Sequence, residues 1–289
     1  MKVIHIFNQA NVAATFVEAL NRLPDVEAEC HTTKLMHKPG FGATVHDIGR
    51  DWMVMIHNLL PTLYEADIIH IHTSFLTVAF LRLQGLKLIN TPIILHFHGS
   101  EIRDRYHEQL INGIECANRI MYSTPDLLSS IEKFDLALPP IHVPNPVSRN
   151  VFKPIKPYCD ERKEAVLYFR TETEPLKLSR RMVELVEKKT GYPVEVIDRA
   201  NNWIPHDEMA QLLNKYNYFL NDLAGDDALS YTSHQMLATG GKVITTSADM
   251  ISRNEIRIID ILPEEYDADK SVMILYNEYK RLIEESNDG

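Results

Sequence analysis

The sequence predicts an α/β protein built from two doubly wound parallel sheets, and three observations predict it. Short apolar runs of strand length alternate with longer stretches whose apolar residues recur at helical spacing. In the first half, two such runs, Ala66–Ser74 and Thr91–Glu101, flank a helical stretch, which makes a βαβ unit and so a parallel sheet. A segment holding Pro139, Pro140, Pro144 and Pro146 then separates this half from a second one with the same alternation.

Taken in order, Lys2–Phe7 is an apolar run of strand length followed by polar Asn8–Asn11. Val12, Phe16, Ala19, Leu20 and Leu23 then share one helical face before Pro24 and Asp25 stop the helix. Trp52–Leu63 reads as a helix with Asp51 as its N-cap, and Ala66–Ser74 as a strand. Leu76–Leu88 suits a helix, Thr91–Glu101 a strand, Glu108–Ala117 a helix, and Asn118–Leu127 a strand, a turn and a helix start. Proline fixes φ and bars helix from the residue before it, so the proline-rich stretch is the boundary between domains 1–147 and 148–289. The second half runs strand Glu164–Arg170, helix Leu178–Lys189, strand Pro193–Asp198 and helix Asp207–Lys215. Strand Asn217–Asp222, a helix around Ser233–Ala238, strand Lys242–Ser247 and the closing helix Ser271–Ser286 complete it. Gly240-Gly241 precedes a strand instead of joining a strand to a helix, so it reads as a helix-to-strand turn needing positive φ, not as a phosphate loop.

Composition narrows the function classes. Hydrophobic residues at 45% supply real cores for a chain of 289 residues. Forty acidic against 30 basic residues give a net charge of −10, which argues against a nucleic-acid partner or an anionic lipid surface. Cys30, Cys116 and Cys159 are far apart and in no metal-ligand spacing, which fits a reducing compartment. The first residues run directly into a strand, and no apolar run reaches the roughly 18 residues of a membrane span. The expected location is the cytoplasm.

Ligands of open parallel sheets bind beyond the carboxyl ends of the strands. The polar residues there are Asn8, Gln9, His72–Ser74, His98–Glu101, Ser123, Thr124, Arg170, Asp198, Arg199 and Asn221–Ser230. The pairs His70/His72 and His96/His98 each sit on one face of a strand, a spacing that suits either a shared metal ion or shared hydrogen bonds. No clustered carboxylate partner accompanies them, which favours hydrogen bonds, and no metal is expected.

Several segments, in order, resemble the retaining, glycogen-synthase-like glycosyltransferases of group 1 (family 4), which have the GT-B fold. Ala66–Ser74 and Thr91–Glu101 resemble that family's two successive strand ends, and Ile141–Pro154 its interdomain signature, with Asn145 and Phe152–Pro154 matching closely. Glu164–Arg170, Trp203–Asp222 and Leu237–Ser247 resemble three further family segments. The resemblance implies two Rossmann-like domains facing across a cleft, with acceptor-side and donor-side roles for the first and second. It also implies sugar transfer from a nucleotide-diphosphate sugar, retaining and without a cofactor or essential metal, to an acceptor that the sequence does not identify.

The same resemblance assigns roles. Arg170, Lys177 and the helix entered through Ser230, Tyr231 and Thr232 would stabilise the leaving diphosphate: a planar fork, a point charge and oriented N–H groups. His98 falls where the family places a histidine beside the donor sugar. Asp227 and Gln235 fall at the positions of two family glutamates, the first near the sugar and the second on the ribose. Donor-side departures gather here: the shorter Asp227, the uncharged Gln235, Phe169 in place of a glycine, Lys177 two residues late and a shortened stretch after Thr246. The glycines expected after the first strand are also missing. Three readings follow, in order: a glycosyltransferase, a catalytically impaired nucleotide-binding or scaffold protein, and a metal-dependent hydrolase using the His-x-His pairs.

Overall fold

A computed structural model describes residues 1–32, 45–47, 52–72, 91–99, 101–103, 108–170, 180–198, 204–221 and 229–287. The helix expected over 76–88 lies outside these residues, as do Lys177 and Asp227. The chain forms two compact units, Met1–Pro146 with Ala268–Gly289, and Val147–Asp267.

The first unit runs β1 (Lys2–Ile6), α1 (Val12–Leu20), β2 (Glu27–Thr32), β3 (Val45–Asp47), α2 (Trp52–Tyr64) and β4 (Ile68–His72). It continues with β5 (Ile93–Phe97), α3 (Glu108–Cys116), β6 (Arg119–Tyr122), α4 (Leu128–Ile131) and β7 (Ile141–His142). Among the described residues these strands form one sheet in the order β3-β2-β1-β4-β5-β6-β7, with every pairing parallel. The winding changes direction between β1 and β4, the switch point at which such sheets open a crevice.

Strands β4 and β5 are buried along their whole length, yet their two faces differ. Ile69, Ile71, Leu95 and Phe97 join Ile4 and Ile6 on one face, packed against Leu59, Leu63, Leu110 and Ile114. The opposite face carries His5, His70, His72 and His96, all fully buried. The turn after β1 lacks glycine, and Phe7, Ala10 and Asn11 take the left-handed conformation there, with φ of 69°, 50° and 65°. Each such non-glycine residue costs on the order of 1 kcal/mol. Asn8 holds this turn: its Oδ1 accepts from Ala14 N at 3.1 Å and its amide donates to Asn11 Oδ1 at 3.1 Å.

The second unit runs β8 (Lys163–Arg170), α5 (Arg180–Thr190), β9 (Val194–Asp198), α6 (His206–Asn214) and β10 (Tyr216–Asn221). Helix α7 (Tyr231–Ala238), β11 (Lys242–Thr245), α8 (Ala248–Ser252) and β12 (Arg257–Ile259) follow. The sheet order is β12-β11-β10-β8-β9, parallel except for the edge strand β12, which is antiparallel to β11. Alternation splits β8 between two cores. Ala165, Leu167 and Phe169 pack with Met209, Leu213 and Met236, whereas Val166 and Tyr168 pack with Met182 and Val186. Helix α7 ends as expected: Gly240 has φ of 78°, its N–H donates to Leu237 O, and Gly241 N–H donates to Met236 O.

The closing helix α9 (Ala268–Asn287) differs from expectation. Its pattern follows the second half in sequence, but the helix belongs to the first unit. Tyr276 OH donates to Asp25 at 2.6 Å, and Ser271 Oγ donates to Pro144 O at 2.5 Å. Glu278 pairs with the buried Arg119 of β6 at 2.5 Å. Helical periodicity gives the apolar face of a helix but not which sheet that face covers. Among the described residues no helix is long and apolar enough to cross a membrane.

Candidate functional site

The polar face of the first sheet is a chain of imidazoles. Parallel register sets His5 beside His70 and His72 beside His96, so alternation along β4 and β5 stacks the rings on one side. The rings of His70 and His72 lie 4.4 Å apart with planes 1° from parallel. Phe16 of α1 and Tyr279 of α9 cover this face, with Phe16 stacked near His5 and His72.

Hydrogen bonds link the rings end to end. Asn145 Oδ1 accepts from His98 Nδ1 at 2.7 Å, so in neutral His98 the Nε2 lone pair accepts from His72 Nδ1 at 2.8 Å. His72 Nε2 then accepts from His5 Nδ1 at 2.9 Å. The amide oxygen of Asn145 thereby fixes one tautomer, N–H on Nδ1, through three successive histidines. Tyr279 OH lies beyond, 2.5 Å from His70 Nδ1 and 3.5 Å from His5 Nε2, and His70 Nε2 meets His96 Nδ1 at 3.2 Å. His96 Nε2 ends the chain without a hydrogen-bond partner among the described residues.

Burial keeps the chain neutral. His5 is pushed down to about 3 by desolvation alone. His70, His72 and His96 are held well below the usual histidine value, first by burial and then by their histidine neighbours. Burial also lowers His98, opposed by Glu101 and by the bond to Asn145. The Glu101 carboxylate accepts from the backbone N–H of His98 and, at 3.0 Å, of Gly99. Both ring nitrogens of His98 and the two amides at its strand end are therefore engaged within the first unit. His5, Asn145 and Tyr279 joined this network without a signal in the histidine motifs, because strand register is not written in local sequence.

In the second unit, three of the residues singled out in the sequence, Tyr231, Thr232 and Gln235, fall on α7, and a fourth, Ser230, caps it. Asn221 ends β10, and its Oδ1 accepts from Ser230 N and Ser233 Oγ, each at 3.0 Å. Ser230 caps the helix, its Oγ accepting from Ser233 N at 3.1 Å. Tyr231 and Thr232 occupy the first turn, where backbone N–H groups have no acceptor within the helix, and Gln235 is buried one turn later. Arg170 is exposed at the carboxyl end of β8, the neighbour of β10, in register with Asp198 of β9. Arg170 and the capped start of α7 thus share the carboxyl edge of one sheet. The sequence singles out Asn221 and Ser233 by position, and the geometry adds the hydrogen bonds by which they build the cap.

No protein-family model matches the chain, and no curated protein matches it. Solved structures do match. Anabaena Alr3699/HepE, in complex with UDP, superposes with a TM-score of 0.58 at 8% identity, covering 100% of this chain and 99% of that one. An alpha-glucosyltransferase in complex with UDP-glucose and DNA containing an abasic site gives 0.56 at 13% identity, over 99% and 94% of the two chains. The UDP-GlcNAc 2-epimerase from Neisseria meningitidis gives 0.55 at 11% identity, over 97% and 100%. The fold is GT-B, a pair of Rossmann-like α/β units. At these identities the likeness establishes the architecture, and chemistry has to be argued from the site.

Proposed function

We propose that the protein transfers a sugar from a nucleotide-diphosphate sugar to an acceptor, with retention and without a metal ion. The observation that carries this reading is the capped N-terminus of α7 on the carboxyl edge of the second sheet, the same edge at which Arg170 ends β8. A departing diphosphate gathers negative charge, and a helix N-terminus with a guanidinium close by stabilises charge of that sign. In this reading Arg170 and Lys177 meet the diphosphate together with Ser230, Tyr231 and Thr232. Gln235 binds the ribose, Asp227 lies near the sugar, and His98 hydrogen-bonds it. The UDP held by HepE and the UDP-glucose held by the alpha-glucosyltransferase support a nucleotide-sugar ligand for this fold.

Calorimetric titration with UDP and GDP, followed by turnover with a panel of nucleotide sugars, tests the proposal. Arg170→Ala is expected to abolish turnover and leave the fold intact, since exposed strand-end substitutions cost little stability. Wild-type turnover in that variant would sink the assignment. Nucleotide binding without turnover by the wild-type protein would support the impaired-enzyme reading. The match to a UDP-GlcNAc 2-epimerase favours a second reading, because the architecture alone does not separate transfer from epimerisation. Incubation with UDP-GlcNAc and no acceptor decides it: a 2-epimer product makes the protein an epimerase.

A further inference from the structure

We infer that the first unit carries a site for a borderline divalent transition-metal ion, formed by Glu29 and His31 of β2 and His46 of the edge strand β3. Alternation puts Glu29 and His31 on the same face of β2, and the parallel register sets His46 of β3 directly beside His31. The two imidazoles stack with centroids 4.6 Å apart. Both turn Nε2 toward one carboxylate oxygen. Glu29 Oε2 lies 3.2 Å from His31 Nε2 and 3.5 Å from His46 Nε2. One ligand atom from each of the three side chains lies within 4.8 Å of the others.

Those spacings match a coordination shell. With ligand distances of about 2.1 Å, neighbouring ligand atoms stand roughly 3.0 Å apart around an octahedral ion and roughly 3.4 Å apart around a tetrahedral one. The two carboxylate–imidazole spacings match those values, and the three ligand atoms, all within 4.8 Å of one another, need only draw together around an ion. Without one, Glu29 Oε2 is in hydrogen-bond reach of His31 Nε2, while His46 Nε2 stands farther off at 3.5 Å.

Burial is graded across the cluster. The His31 side chain is 6% exposed, Glu29 21% and His46 47%, so an ion has a partly desolvated floor and an open approach. Lys2 is the opposing charge, and Glu65 holds its ammonium at 2.7 Å. Two imidazoles with one carboxylate select zinc, nickel, cobalt or iron(II), whereas calcium and magnesium prefer all-oxygen shells. Such an ion would tie the three-residue strand β3 to β2.

The test uses the full chain, stripped with a chelator and titrated with Zn²⁺ against a chromophoric competitor. Thermal unfolding is followed with and without the ion. Glu29→Gln and His46→Ala are each expected to weaken zinc binding by about tenfold or more and to remove the zinc-dependent rise in Tm. His46 is half exposed, so its replacement leaves the fold intact, which far-ultraviolet circular dichroism checks. No zinc uptake by the wild-type chain at micromolar concentration overturns the inference, and so does binding that neither variant weakens.

Discussion

Lowering the pH from 7 to 5 should strip stability from the first unit, because its sheet buries neutral histidines. His5 titrates near 6.5 when unfolded and near 3 when folded, since burial disfavours its cation. Between these values the unfolded chain binds the extra proton, so the contribution is complete above about pH 6.5 and declines as pH falls toward about 3. Going from pH 7 to 5, the unfolded imidazole passes from mostly neutral to mostly charged while the folded one stays neutral. That difference is about 2 kcal/mol for His5 alone. His70, His72 and His96 shift in the same direction from the same cause, so the sheet loses more than this single group accounts for. Domain stabilities of about 5–15 kcal/mol make that loss large. The carboxylates with lowered values, Asp25, Glu65, Asp126 and Glu195, lose their stabilising charge only below their ordinary range near 4, outside this interval.

Urea unfolding at pH 7, 6 and 5 measures the effect, with amide exchange in β1, β4 and β5 reporting on the first unit. The slope of unfolding free energy against pH counts the protons taken up, at about 1.4 kcal/mol per pH unit for each. More than one proton is expected for this unit at pH 5. A slope of less than one, or stability that holds flat from pH 7 to 5, would refute the assignment of a neutral buried chain.

Three further outcomes follow from single groups. His234 is buried against Tyr266 at a ring-centroid distance of 3.7 Å, and neither of its nitrogens has a hydrogen-bond partner among the described residues. His234→Phe keeps the stack, removes both orphaned atoms and should stabilise by about 1–2 kcal/mol in urea unfolding. Glu278→Gln leaves the buried Arg119 guanidinium without its counter-charge and should cost about 3–5 kcal/mol. Pairing it with Arg119→Met should recover most of that loss, and a double variant as unstable as the single one counts against the buried-pair account. Asn145→Ala takes the acceptor from His98 Nδ1 and should cost about 1–2 kcal/mol. If His98 binds donor sugar, a saturating nucleotide sugar should raise Tm more in this variant than in the wild type, and equal shifts would argue against that role.

Much of the architecture is legible in the sequence, for identifiable reasons. A parallel sheet is buried on both faces, so β4, β5 and β8 appear as apolar runs, and helical spacing marks α1 between β1 and β2. The turn at Gly240 is legible because positive φ favours glycine so strongly. The turn after β1 is not, because Phe7, Ala10 and Asn11 adopt the same conformation at an energetic cost that composition does not reveal. Nor is the placement of α9: its apolar face is plain, but its companions Asp25, Arg119 and Pro144 lie over a hundred positions away in the chain.

The candidate site divides in the same way. The His-x-His spacing puts two histidines on one face of each strand, where the rings hydrogen-bond to one another and also lie close enough to share an ion. Spacing says nothing of which strands adjoin, and a slip of one residue in β1 would have carried His5 to the opposite face. The network owes its direction to Asn145, which binds His98 across 47 positions of sequence. That bond bears on the proposed role of His98. A ligand hydroxyl reaching the His98 ring must displace either Asn145 or His72, and displacing His72 strands a fully buried N–H at a cost of about 1–3 kcal/mol. Asn145 has a little exposure, whereas His72 has none. Exchange at the Asn145 side is therefore the cheaper route for a sugar to engage His98, and it leaves the inner links from His98 to His5 unbroken.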